Sequence, residues 1–160
     1  MAKQSVGERV RSSWDRLSKI PGGKKLFTVM VGRMAPYTGT IGAKTLELRP
    51  GYAKVELKDR KHVRNHLNCV HAIALANLGE LATGLAMMAS LPEDARGILS
   101  GIEMQYHKKA RGTLTAECHC NPPSTSETMD YKVVGEIKDA SGTLVTTATA
   151  LWRIGPRKTV

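Results

Sequence analysis

CVHAIALANLGELATGLAMMASL, residues 69–91, is the stretch that decides how this chain folds. Val70, Ile73, Ala74, Leu75, Ala76, Leu78, Leu81, Ala82, Leu85, Ala86, Met87 and Met88 leave no wide polar stripe around a helix. A helix that is apolar almost all round has to be buried rather than laid on a surface. Asn77, Glu80, Thr83 and Gly84 interrupt it, and it is too short to span a bilayer comfortably.

On both sides of this stretch the apolar period changes from helical to alternating. Ile41 to Arg49 and Tyr52 to Lys58 read as strands around the Pro50-Gly51 turn, the second setting Ala53, Val55 and Leu57 against Lys54, Glu56 and Lys58. Ile98 to Lys108 alternates through Ile98, Ile102, Met104 and Tyr106. Leu114, Ala116, Cys118 and Cys120 form a fourth strand. Tyr131, Val133, Gly135 and Ile137 mark a fifth, and Leu144 to Ile154 a sixth, joined through the turn Asp139 to Gly142, with Pro156 as the stop. Six half-apolar antiparallel strands and one fully apolar helix satisfy each other if the sheet curls around the helix. The expectation is an α+β fold, a curled antiparallel six-stranded sheet wrapped around a central helix.

Upstream, Ser5 and Glu8 stand at capping-box spacing, and Val6, Val10, Trp14 and Leu17 follow at helical spacing. Pro21, Gly22 and Gly23 stop that helix, and Leu26 to Met34 predicts a short second one before Pro36. The chain divides on this reading into a helical extension, 1–36, and the sheet-and-helix domain, 37–160.

Composition sets the boundaries. The chain has 160 residues, a formal net charge of +10, 41% apolar and 24% charged residues, which suits one folded domain and not a disordered polyelectrolyte. The positive balance favours anionic partners without choosing among them. With two Trp, four Tyr and one Phe, the aromatic and basic platforms of a single-strand binder are missing, so no nucleic-acid partner is expected. Three cysteines, Cys69, Cys118 and Cys120, suit a reducing compartment, and cytoplasm is expected. No metal ligand set is spaced in the sequence, and no cofactor is implied. No secretory h-region or membrane span is read.

Glu80 is the chemical anomaly, because burying an unpaired carboxylate is costly. Asn77 and Thr83 flank it at helical spacing. It reads either as a satisfied core carboxylate or as a functional acid. The polar run Arg64-Asn65-His66-Leu67-Asn68-Cys69-Val70-His71 feeds the helix start, where free amides can hold an anion or a developing oxyanion. His71 and Glu80 are nine residues apart, or roughly 13 Å along one helix. Two antiparallel helices from two subunits would close that gap, which predicts a homodimer.

These residues resemble the hotdog-fold thioesterases of the phenylacetyl-coenzyme-A type over about Ile41 to Gly155. In that family an Asn lies six residues before a His-Gly-Gly turn opening the central helix, and an Asp or Glu nine residues after the His. Asn65, His71 and Glu80 stand at those spacings. The resemblance implies Glu80 as general base or nucleophile, Asn65 as a group positioning water or carboxylate, and the Ala72 amide as the donor polarising the thioester carbonyl. Ala72 and Ile73 replace the two glycines, narrowing the approach. Ser100 is a weak further candidate.

His107, Lys108, Lys109 and Arg111 end the third strand, where the resemblance implies the mouth of a coenzyme-A channel. Lys108, Lys109 and Arg111 would hold nucleotide phosphates, and Asn68 and Asn77 complete the expected substrate contacts. The implied function is hydrolysis of an acyl-CoA or other acyl thioester in a homodimer or a dimer of dimers. The alternative is a non-catalytic acyl-CoA or lipid-binding protein on the same scaffold. The signatures of hydroxyacyl dehydratases are absent.

Overall fold

The computed structural model describes residues 4–157; residues 1–3 and 158–160, the outer ends of the expected extension and domain, lie outside it. Helix α1, Val6–Leu17, starts where Ser5 Oγ accepts the Glu8 amide at 3.0 Å. Helix α2, Gly23–Met34, folds back on it, and Trp14 meets Phe27 edge to face at 5.0 Å between ring centroids. The hinge requires glycine: a Cβ on Gly23 would sit 1.7 Å from the Leu17 carbonyl oxygen. A single turn, α3 at Pro36–Gly39, was not expected. Pro36 reads as a breaker, yet proline at the first position of a helix costs nothing.

Six strands follow: β1 Lys44–Arg49, β2 Tyr52–Leu57, β3 Ala95–Tyr106, β4 Leu114–His119, β5 Met129–Lys138 and β6 Leu144–Pro156. They form one antiparallel sheet in the order β1-β2-β4-β5-β6-β3. The expected strands are all present, with shifted ends. β1 starts at Lys44 because Gly42 takes a left-handed turn, with φ 61°, just before it. β3 starts at Ala95, ahead of the first large apolar residue, and pairs with β6 along its length.

The central helix α4 spans Ala72–Met88, against the sheet's inner face, where Val55, Leu57, Leu114, Ile137 and Ile154 are fully buried. Gly79 allows the close approach, since a Cβ there would lie 2.5 Å from the Ala148 Cβ. Cys69 and Val70 belong to the preceding loop, and Val70 bridges Arg64. The expectation of a helix buried all round is corrected on one side: Ile73 is exposed, and Glu80, Leu81 and Met88 are half-buried. The sheet covers one face of α4, and α1–α3 cover only part of the other.

Candidate functional site

Two loops are clasped together at the start of α4. Asp59 pairs with Arg64 at 2.6 Å and accepts the Gly112 amide at 3.1 Å, and the Val70 amide donates to the Ala110 carbonyl at 2.9 Å. The Arg64 guanidinium, more than any other group, holds the Asp59 carboxyl below the usual range. Asn65 Oδ1 accepts the Leu67 amide at 2.9 Å and the Cys69 amide at 3.4 Å, so this oxygen is spent on shaping the loop. What Asn65 still offers is the N–H side of its amide. Asn68 makes the tight turn in left-handed backbone, φ 52°.

His71 caps the helix, its Nδ1 accepting the Ile73 amide at 3.0 Å. The Ala72 and Ala74 amides make no hydrogen bond among the described residues. They are the free donors that a helix N-terminus presents to an anion. Tyr106, from the end of β3, donates its hydroxyl to the Ala72 carbonyl at 3.1 Å and fixes this first turn. A cleft of about 330 Å³ opens here, with Asn65, Cys69, Ala72, Leu75, Tyr106, Lys108 and Lys109 in its wall.

The basic cluster is partly committed. Lys108 pairs with Asp139 at 2.9 Å, and Arg111 Nε donates to the Asn68 carbonyl at 3.3 Å. The Ser141 hydroxyl and then Lys108 hold the Asp139 carboxyl well below the usual range. Lys109 is exposed and has no hydrogen bond or ion pair among the described residues.

Glu80 lies elsewhere, in a separate apolar crevice of about 220 Å³ between α4 and the N-terminal helices, with Val10, Val31, Met34, Leu85 and Met88 around it. Its side chain has no hydrogen-bond or ionic partner among the described residues, and burial pushes its carboxyl above the usual range. Neither expected neighbour reaches that carboxylate: Thr83 donates to the Glu80 carbonyl at 3.1 Å, and Asn77 Nδ2 to the Tyr37 carbonyl at 3.2 Å. Asn77 is 6% exposed and its Oδ1 is left without a partner.

The chain thus brings Asn65, Ala72, Lys108 and Lys109 to a single cleft, with His71 shaping it. Asn68 and Arg111 are tied to each other and do not line it. Glu80 and Asn77 are not in it. Ser100 is spent on the Leu151 carbonyl at 3.0 Å. Tyr106 escaped the sequence reading as a site residue because its alternation marks it only as a strand position. Its signal was an aromatic immediately before the basic cluster. No cluster of three His, Cys, Asp or Glu side chains fit for a metal, and no helix long and apolar enough to cross a membrane, occurs among the described residues.

A family model described as "Domain of unknown function (DUF4442)" matches residues 23–154. The chain belongs to the DUF4442 family. Among curated proteins, none matches it. Solved structures extend the likeness. A structural-genomics protein superposes with a TM-score of 0.80 at 29% identity, over 96% of this chain and 100% of its own. A Pseudomonas aeruginosa protein of unknown function, described as a "Probable Thioesterase", gives 0.74 at 18% identity, over 86% and 97%. A Staphylococcus aureus thioesterase enzyme gives 0.67 at 17% identity, over 76% and 99%. The architecture shared by this DUF4442 chain and these proteins is the hotdog fold.

Proposed function

We propose that two copies of this chain form a thioesterase that hydrolyses an acyl-CoA or related acyl thioester, each site being built from both copies. Residues 37–160 are then the hotdog domain and 1–36 an extension over Glu80. The observation that carries the reading is the split site: free amides open one cleft at the helix start, while an unpaired carboxylate waits in another, roughly 13 Å along the same helix. An antiparallel neighbour places one copy's Glu80 beside the other's Ala72.

The β3 edge supports that assembly. Its outer side is unpaired among the described residues, with Ile98 on one face and Ile102 and Tyr106 on the other 53%, 37% and 48% exposed, and Ile73 on α4 is 54% exposed. A long apolar edge strand is a template for pairing with another chain.

In the reaction, ionised Glu80 takes a proton from water as the water oxygen attacks the thioester carbonyl. The Ala72 amide, with the helix dipole behind it, stabilises the oxyanion that forms. The oxyanion then collapses, the C–S bond breaks, the thiolate leaves to be protonated, and the carboxylic acid is released. Burial in the apolar crevice makes Glu80 a stronger base than an exposed carboxylate. Asn65, with its oxygen committed to the loop, acts as a donor through Nδ2. Lys109, with Lys108 beside it in the cleft wall, meets the phosphates of the carrier. The Staphylococcus aureus relative was also solved with a Gln and a Glu substituted fifteen positions apart, and Asn65 and Glu80 stand at that same spacing. The unpaired cysteines suit a cytoplasmic setting.

The test is thiol release from an acyl-CoA panel. Glu80→Gln is expected to keep the fold and lose on the order of 10²- to 10⁴-fold in turnover; unchanged turnover overturns the reading. A protein that gains thermal stability from acyl-CoA without any turnover would instead be the non-catalytic binder.

A further inference from the structure

The crevice at Glu80 does not end there. A larger cleft of about 660 Å³ lies between α2, α3 and β1, and the two share Val31, Thr38 and Leu81 in their walls. Together they reach from the carboxylate, between α4 and the N-terminal helices, to Ala43 just before β1 and Thr45 on it. Their size is that of a small-ligand site rather than a packing defect.

We propose that these joined crevices are the acyl pocket of this protein, taking a linear aliphatic chain whose carbonyl end lies at Glu80. The placement of the carbonyl rests on the thioesterase reading; the pocket and its occupant rest on the walls. Those walls are Val, Leu, Met, Ala, Thr, Gly and Pro, with Glu80 at one end and Arg33 in the larger cleft, and they contain no aromatic side chain. Nothing there stacks on an aryl group, whereas Met34 and Met88 adapt to the kinks of a flexible chain. The two-chambered shape, narrow at the carboxylate and wider beyond Val31 and Thr38, also suits a chain that bends rather than a rigid ring. Val6 and Val10 line the narrow chamber from α1, upstream of the residues matched by the family model. Chain selection is therefore set largely by the N-terminal helices, and the carrier is held at the other copy's helix start.

Two measurements test this. Displacement of a fluorescent C16 fatty acid by palmitate reads the pocket without turnover. A series from acetyl-CoA to palmitoyl-CoA reads chain preference, with kcat/KM rising by up to roughly fourfold per added methylene until the pocket is full. Val31→Trp plugs the junction and is expected to weaken palmitate binding at least tenfold, and to cut palmitoyl-CoA turnover at least tenfold more than butyryl-CoA turnover. Thr38→Trp, at the same junction but on the single turn α3 rather than within α2, makes the same test if Val31→Trp fails to fold. Palmitate binding and chain preference unchanged in the folded variants overturn the pocket, even with hydrolysis intact. Palmitate binding that Val31→Trp or Thr38→Trp abolishes, in a protein that hydrolyses no thioester, supports the pocket and overturns the thioesterase reading alone. Phenylacetyl-CoA preferred over every linear chain overturns the aliphatic assignment.

Discussion

The sheet has two edges, and they are treated in opposite ways. At one, β1 is six residues long, carries a register shift between Thr45 and Glu47, and is closed by α2: the Thr45 amide donates to Thr28 Oγ1 at 3.2 Å and Lys24 Nζ to the Leu46 carbonyl at 2.7 Å. At the other, β3 is twelve residues long and offers Ile98, Ile102 and Tyr106 to the outside. Charge, bulges and covering side chains are how proteins prevent strand addition at an edge; β3 also carries a register shift, between Leu99 and Gly101, but only β1 is short and covered by side chains from a helix. The open edge is also the one whose last residue, Tyr106, reaches the helix start. The assembly and the chemistry proposed above would therefore meet at the same border.

The strongest way to break this contrast is Ile102→Lys. It should weaken self-association on the order of 100-fold in sedimentation and take thiol release down with it. Lys44→Glu on the covered edge should change neither. Equal effects from both would mean that the two edges are equivalent. Mixing two inactive variants sharpens the point: if each site draws on both copies, Glu80→Gln unfolded and refolded with Asn65→Ala should recover about a quarter of wild-type activity. No recovery would place each site within one chain.

Much of the fold was legible because alternation survives wherever one face of a strand is buried, as at Ala53, Val55 and Leu57 or Leu114, Ala116 and Cys118. The expected alternation from Ile98 through Ile102 to Tyr106 is broken by the register shift between Leu99 and Gly101, which sets Ile98 opposite Arg153 and Ile102 opposite Ala150, on opposite faces, and an irregularity of that kind leaves no periodic trace. The start of β3 was hidden because Ala95 and Gly97 carry little apolar signal. At the site, the order Asn65, His71, Glu80 could be read along the chain. The commitment of Asn65 Oδ1 to its own loop could not, since it depends on how residues 65–69 turn. Nor could the Glu80 crevice, whose walls combine residues 6–38 with residues 80–88 of α4.

Acidity distinguishes the Glu80 crevice from the helix start further. The raised Glu80 pKa means that turnover falls about tenfold per unit once pH drops below it. Stability runs the other way: the folded state holds this proton more tightly than the unfolded chain, so stability falls as pH rises from the ordinary carboxylate range through the raised value. Glu80→Gln should abolish both slopes, seen in pH–rate profiles and thermal melts. The smallest effect is at the helix start, where His71→Ala removes the cap on the Ile73 amide and should cost about 1 kcal/mol in denaturant melts, with His71→Asn restoring most of it.

The bonds from Thr28 and Lys24 to β1 carry a consequence for anyone shortening this protein. Cutting the chain back to residue 37 would leave a second bare border on the sheet. With one bare border, copies stop at a closed couple; with two, each added copy leaves another strand uncapped, and growth becomes open-ended. The leading helices would then be the feature that keeps this sheet from extending into fibres.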